Sequence, residues 1–297
     1  MAVGQGRRII LLAGPTASGK SALAVRWAQA CGGVVVNADS MQVYSDLRVL
    51  TARPDPEEER RTPHMLYGHV DGAKPYSVAL WLDDVRRLLA GTDPRPLIFV
   101  GGTGLYLQAL IEGLSEVPPI DEAVREHWRG QSALRSAADL HGELARRDTA
   151  AAERIRASDT QRILRALEVV ESTGRSLLEW QSEVSPALVQ AGERFLLIPE
   201  RYDIRVSIAE RFRTMISAGG LDEVLILLQR GLDPSLPVMR AIGVAPLAAH
   251  LEGQLRLDEA VERAITDSRQ YAKRQTTWMR NRFADWQPAP RFFENAV

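Results

Sequence analysis

Residues 14–21 read Gly-Pro-Thr-Ala-Ser-Gly-Lys-Ser, directly after the apolar run Ile9-Ile10-Leu11-Leu12-Ala13, and no other stretch restricts the fold as much. The pattern G-x-x-x-x-G-K-[ST] between a buried strand and a helix start forms a loop that cradles a di- or triphosphate. Gly14 and Gly19 let the backbone turn so that successive N–H groups point inward. Lys20 adds a charge, and Ser21 opens a helix whose N-terminal end favours anions. A glycine-rich surface turn would leave Lys20 and Ser21 without a task.

Around this loop the chain reads as α/β. Val34-Val35-Val36 stops at Asn37-Ala38-Asp39-Ser40, completing a strand, loop, helix and strand within the first thirty-nine residues. Residues 76–90 space apolar side chains at helical intervals, and Leu97-Ile98-Phe99-Val100 forms a further strand ending at Gly101-Gly102-Thr103-Gly104. From Pro118-Pro119 to about Gly192 the composition turns charge-rich and helical with no strand candidate, which reads as an inserted all-helical subdomain. A strand at Phe195–Ile198 and helices over 204–228 and 257–278 follow, and the stretch from Pro288 is expected to trail over the surface. The expected architecture is a P-loop NTPase-like parallel sheet flanked by helices (1–117 and 193–297), with the insertion at 118–192.

The bulk properties set limits. Length 297 and an apolar share of 45% suit one large domain with an insertion. No apolar run approaches eighteen residues, and Met1–Arg8 is too short for a signal peptide, so a soluble cytoplasmic protein is expected. Cys31 alone allows no internal disulfide and no multi-cysteine zinc site, and reads as a buried helix-end residue. His64 and His69 fall in a loop-like region without metal-ligand spacing. Net charge is −1, yet lysine occurs only at Lys20, Lys74 and Lys273, the other positive charges being arginine, which suits phosphate recognition or reflects codon usage.

Parallel strands place their C-terminal ends on one sheet edge, which brings Asp39 and the 101–104 loop beside the phosphate loop. Asp39 is open to three roles: general base, magnesium ligand, or turn-capping aspartate. Thr103 offers a hydroxyl to a phosphate oxygen or caps a helix. A Walker-type ATPase would more often carry an aspartate at this strand end, so its absence counts against ATP hydrolysis. Residues 269–282 hold five basic side chains, no acid, and Tyr271 and Trp278, which fits either a phosphodiester-binding helix with a stacking platform or a solvated face.

Taken together, Gly14–Ser21, Asp39-Ser-Met-Gln-Val-Tyr, Thr51-Ala-Arg-Pro, Gly101-Gly-Thr-Gly-Leu-Tyr, Gln161-Arg-Ile-Leu-Arg-Ala-Leu-Glu, Arg269-Gln-Tyr-Ala-Lys-Arg-Gln and Thr277-Trp278 resemble the tRNA dimethylallyltransferases, also called tRNA isopentenyltransferases, over nearly the whole chain. The resemblance implies transfer of a dimethylallyl group from its diphosphate to N6 of the adenosine 3′ to the anticodon, with magnesium, Ser21 being its candidate ligand. It implies that Gly14, Pro15, Thr16, Ala17, Ser18, Gly19, Lys20 and Ser21 bind the donor diphosphate. Asp39 would take the N6 proton, with Ser40, Met41 and Gln42 lining the adenine pocket. Thr103 would contact the bridging or leaving oxygens and Arg211 the pyrophosphate. Arg125, the set Gln161, Arg162, Ile163, Leu164 and Arg165, the segment from Arg240, and Lys273, Arg274 and Arg280 would hold the tRNA anticodon stem-loop. No membrane and no stable protein partner are implied.

The chain departs from the family pattern at Arg53, where lysine is usual, at Leu50 in place of glycine, at Ser207 in place of an arginine, and at Val244 and Ala245 in place of tyrosine and a polar residue. Three rival readings stay open: a P-loop kinase of a nucleotide or small metabolite, an enzyme alkylating free AMP or ADP, and a non-enzymatic RNA-binding module.

Overall fold

The computed structural model describes residues 6–290. Its sheet has six strands, β1 Ile9–Ala13, β2 Val34–Asn37, β3 His64–Met65, β4 Leu97–Gly101, β5 Glu193–Leu196 and β6 Gln287–Pro288, all parallel in the order β3-β2-β4-β1-β5-β6. β1, β2 and β4 are buried along their whole length, which is why their sequences are continuous apolar runs rather than alternating ones. Helices α1 Lys20–Cys31, α2 Pro56–Arg61, α3 Val78–Ala90 and α4 Gly104–Glu112 connect the first four strands and lead out of β4.

Two compact units emerge. One comprises residues 1–111 and 188–297, the other Glu112–Ala187. The second contains α5 Glu122–Leu134, α6 Ala137–Arg147, α7 Thr149–Arg154, α8 Thr160–Thr173 and α9 Leu177–Ser182 around Trp128, Leu140, Leu144, Ile163 and Leu167. Its limits lie about six residues before the composition change at each end. Ser115 bridges Val184 and Ser185 N–H donates to the Leu114 carbonyl, tying 112–117 to the helices, whereas Val189 N–H returns to Leu110 in the first unit.

The first unit continues through α10 Arg201–Met215, a wide turn at Ile216–Gly220, α11 Leu221–Gln229, α12 Val244–Leu251 and the 26-residue α13 Leu257–Arg282. Gly219 supplies the left-handed φ of 99° that separates α10 from α11. These helices enclose a core of Ile208, Phe212, Met215, Val224, Leu247 and Ile265.

Four local expectations change. His64 lies on β3, a two-residue edge strand rather than a loop, paired with Val35. β5 begins at Glu193 because that residue pairs with Ile10 and forms an ion pair with Arg8 at 2.6 Å. The stretch at Pro288 does not trail: Gln287 and Pro288 pair with β5, Trp286 is buried, and Ala289 N–H donates to Leu196. Cys31 is only partly buried at the end of α1. No helix among the described residues is long and apolar enough to cross a membrane.

Candidate active site

The phosphate loop joins β1 to α1 through two left-handed residues, Ala17 at φ 60° and Gly19 at φ 84°. Alternation of helical and left-handed conformations turns consecutive N–H groups toward one point, and a non-glycine residue held there stores strain typical of a binding loop. No side chain caps the first turn of α1 and no acid sits in it, leaving its N–H groups directed at a cavity of about 530 Å³. Ala17 to Ala22 line that cavity with Gln42, Arg53, Tyr67 and Arg211. Gly14 admits no side chain, since a Cβ would stand 2.7 Å from the Leu197 carbonyl oxygen.

Lys20 donates to the Pro15 carbonyl at 3.1 Å. Burial pushes its ammonium down to about 8; Asp39 pulls it up again and Arg211 presses it further down. Burial also lowers the Arg211 guanidinium from its ordinary value, with Asp39 offsetting part of the shift. Arg211 donates to the Thr16 hydroxyl, so the arginine from α10 is tied directly to the loop. Lys20 and Arg211 make no ion pair with a carboxylate among the described residues, although Glu58 and Glu210 also line the cavity, and the two cations beside the loop N–H groups suit an anion.

A second cavity of about 380 Å³ is lined by Thr16, Asp39, Ser40, Met41, Arg211, Arg240, Tyr271 and Arg274 together with apolar Leu50, Ile208, Phe212, Met215 and Ile242. Arg211 lines both cavities and stands between them as the partition, and Thr16, which accepts its hydrogen bond, lines the second. Asp39 is positioned by a buried asparagine. The Asn37 amide donates to the carbonyls of Asp39 and Leu66, both at 3.0 Å, and its oxygen accepts the Asp39 N–H at 2.8 Å. Asn37 is itself braced by the Trp81 indole, which donates to its carbonyl at 2.9 Å. The Asp39 carboxylate accepts the Met41 N–H at 3.0 Å, an Asx-type turn that aims the side chain without pairing it to a cation.

Several expected residues stand elsewhere. Thr103 lines neither cavity: its hydroxyl accepts the Ser40 N–H at 2.9 Å and donates to the Ser40 hydroxyl at 3.2 Å, which makes it a brace for the Asp39 loop. Gln42 lines the phosphate-loop cavity instead of the Asp39 cavity, because its amide donates to the carbonyls of Thr51 and Ala52. Ile163 is 0% exposed in the core of the helical unit and presents no surface to a ligand, and Leu164 packs against the same core. Gln161 and Arg162 are exposed, Arg162 facing Asp159; Arg165 pairs with Glu168 and Arg125 with Glu122. On α13, Arg274 faces the Asp39 cavity. Lys273 and Arg280 line a separate groove of about 430 Å³ with Arg201, Arg205 and Arg269. Of the departures, Arg53 holds the carbonyls of Tyr44 and Ser45 and lines the phosphate-loop cavity with Ser207, Leu50 lines the Asp39 cavity, and Val244 is a core residue.

Three contributors carry roles that the sequence does not assign them: Glu223, Gln275, which only closes a quoted motif, and Tyr271, read there as a stacking platform. Glu223 of α11 accepts the N–H groups of Arg48, Val49 and Leu50 at 2.8–2.9 Å and fixes the loop that carries Leu50 and Thr51 into the cavity. The buried Gln275 on α13 bridges Thr16 and Gly102. The Tyr271 hydroxyl is hydrogen-bonded to Thr103 and Gln275, and burial, with Asp39 adding to it, raises its pKa. Among the described residues no cluster of His, Cys, Asp or Glu could hold a metal. The donor set therefore fits a magnesium ion held mainly by phosphate oxygens, with the exposed Ser21 hydroxyl as protein ligand, rather than an all-protein cage.

Comparison with known proteins identifies the family. The IPP transferase family matches residues 42–282, and the isopentenyl transferase family residues 7–67. The tRNA dimethylallyltransferase of Methylobacterium nodulans is 56% identical over 284 residues, covering 94% of each chain; that of Chelativorans sp. is 52% identical over 94% of this chain and 98% of its own. Among solved structures, the full-length tRNA isopentenylpyrophosphate transferase of Bacillus halodurans superposes with TM-score 0.66 at 31% identity over 96% of this chain and 90% of that one. A eukaryotic dimethylallyltransferase acting on tRNA gives TM-score 0.77 at 26% identity over 92% of this chain and 70% of that one. With a family match over most of its length and relatives above half identity, the chain belongs to the tRNA dimethylallyltransferase family.

Proposed function

We propose that this enzyme transfers a dimethylallyl group from dimethylallyl diphosphate to N6 of the adenosine 3′ to the anticodon in tRNA, releasing diphosphate. The observation that carries the reading is the pair of cavities sharing Arg211: one offers an anion cradle, the other a carboxylate beside apolar walls. The donor's diphosphate occupies the cradle and its allylic carbon reaches the partition. The acceptor adenine enters the Asp39 cavity after leaving its stack, at a cost of a few kcal/mol.

The N6 lone pair attacks C1 of the donor. The C1–O bond breaks with its electrons going to the diphosphate, and the N6 proton passes to the Asp39 carboxylate. Adenine N6 is a weak nucleophile, so most of the barrier is lowered where negative charge grows, at the leaving oxygens. Lys20, Arg211 and the loop N–H groups face that point. Magnesium, held by the diphosphate and Ser21, would add charge neutralisation to the leaving group. Arg240 and Arg274 at the mouth of the Asp39 cavity hold the anticodon stem-loop backbone, joined by Lys273 and Arg280 from the neighbouring groove. Arg125, Gln161, Arg162 and Arg165 form the contact from the helical unit.

A kinase reading lacks support at the end of β4, where Gly101 to Thr103 offer no carboxylate for a nucleotide-bound magnesium. The test is mass spectrometry of nucleosides from unmodified tRNA incubated with the pure protein, magnesium and dimethylallyl diphosphate. One dimethylallyl mass gained on adenosine supports the proposal. No gain, with ATP consumed in a parallel reaction, refutes it.

A further inference from the structure

We infer that Gln275 is a positioning residue of the transfer reaction, holding the phosphate loop and the loop after β4 in one register from α13; the inference rests on the dimethylallyl-transfer reading. Gln275 is 6% exposed, within the half of α13 that is otherwise rich in basic and polar side chains. A buried amide must satisfy both its oxygen and its N–H groups. Gln275 does so on two different loops of the site: its Oε1 accepts the Thr16 N–H at 2.8 Å and its Nε2 donates to the Gly102 carbonyl at 2.9 Å. The fit is close. A Cβ on Gly102 would come within 2.3 Å of Nε2, so the amide lies directly on that glycine.

The neighbouring turns of α13 repeat the contact. Tyr271, four residues earlier, bonds Thr103, while Trp278, three residues later, covers Gly104, where a Cβ would meet the indole at 2.0 Å. Residues spaced at four and then three positions share one helix face. That face seats α13 along Gly102, Thr103 and Gly104, and Gln275 is the member of the stripe that also reaches the phosphate loop.

The chemical consequence follows from what Thr16 and Gly102 lead to. Thr16 donates its N–H to Gln275 while its hydroxyl accepts from Arg211, so this amide is removed from the anion nest, and the nest begins with the residues after it. Gly102 leads to Thr103, whose hydroxyl holds the Ser40 N–H next to Asp39. One side chain thus ties the place of the leaving diphosphate to the place of the base. Reactions of this kind lose on the order of a hundredfold when the reacting groups are misplaced by about 1 Å.

The experiment compares wild type, Gln275→Met and Gln275→Asn as full chains, measuring kcat, the KM for dimethylallyl diphosphate and the KM for tRNA, with thermal melting alongside. Methionine keeps the length and removes both bonds; asparagine keeps the polarity and is too short to span both partners. For each folded variant we expect the donor KM to rise about tenfold, kcat to fall about tenfold, and the tRNA KM to stay within about twofold. A purely structural role would reduce the folded fraction and hence kcat while leaving both KM values in place. Wild-type KM values in both variants overturn the inference and leave the functional reading standing. Absence of transfer by the wild type itself removes the reading and the inference together.

Discussion

In the helical unit most arginines are matched to acids, Arg154 and Arg156 being the exceptions among the described residues. Arg125 meets Glu122 at 3.3 Å, Arg147 meets Glu143 and Glu171 at 2.7 and 2.9 Å, Arg165 meets Glu168 at 3.7 Å and Arg175 meets Glu183 at 2.7 Å. On α13, Arg269, Lys273, Arg274, Arg280 and Arg282 make no ion pair with a carboxylate among the described residues. The acids of that helix, Asp258, Glu259, Glu262 and Asp267, all lie before Arg269. Exposed ion pairs add little stability, and a cation already facing a carboxylate must give up that partner before it can serve a phosphate. Unpaired cations release counterions when a phosphate arrives and keep the full gain. In the proposed RNA contact, the contrast gives α13 the larger electrostatic share and the helical unit a weaker contribution per paired arginine.

The largest effect expected is inside the partition. Arg211→Ala should lower kcat/KM for the donor about a thousandfold, because it removes a buried charge aimed at the leaving group. Steady-state kinetics with tRNA held saturating checks this, and a loss below about tenfold would return Arg211 to a structural bond with Thr16.

Next come the unpaired cations. Replacing Lys273 and Arg274 together by alanine should reduce the slope of log affinity for tRNA against log salt by about two, and Arg162→Ala by well under one. Lys273 and Arg274 face different grooves, so a fall of about one for the pair would show that only one groove meets the RNA. Equal slopes for the α13 and Arg162 variants would erase the contrast between the two regions.

The smallest effect is a titration. Burial lowers Lys20 to about 8, so the ammonium is present below that pH and lost above it, and donor binding above it must take up a proton. The donor KM should therefore be nearly level up to about pH 8 and then rise up to tenfold per unit. Lys20→Arg keeps its charge over the whole range and should give a level profile, whatever its absolute affinity. A wild-type KM that does not rise above about pH 8 would contradict the assigned cause.

Strands β1, β2 and β4 were legible because a strand covered on both faces must be apolar throughout, and the phosphate loop because its glycines and lysine stand at fixed spacing. β3 and β6 were not, since two-residue edge strands with His64 or Pro288 carry no periodicity; they exist because their neighbours offer open backbone groups. At the site, Asp39 followed from its place at a strand end, and Arg211 came only through the resemblance. Gln42 and Ile163 were read from motif membership, which does not tell a side chain that lines a given cavity from one that packs behind it. Glu223 and Gln275 act across separations of 173 to 259 residues, and nothing near them in the chain announces a partner.

The measurement that tests the account most directly is the single-turnover rate of dimethylallyl transfer by Asp39→Ala with saturating tRNA and donor, with tRNA affinity measured in parallel. A rate lowered by at least about a hundredfold with affinity nearly unchanged is the predicted result. A wild-type rate would remove Asp39 from the chemistry and, with it, the assignment of the second cavity to the acceptor adenosine.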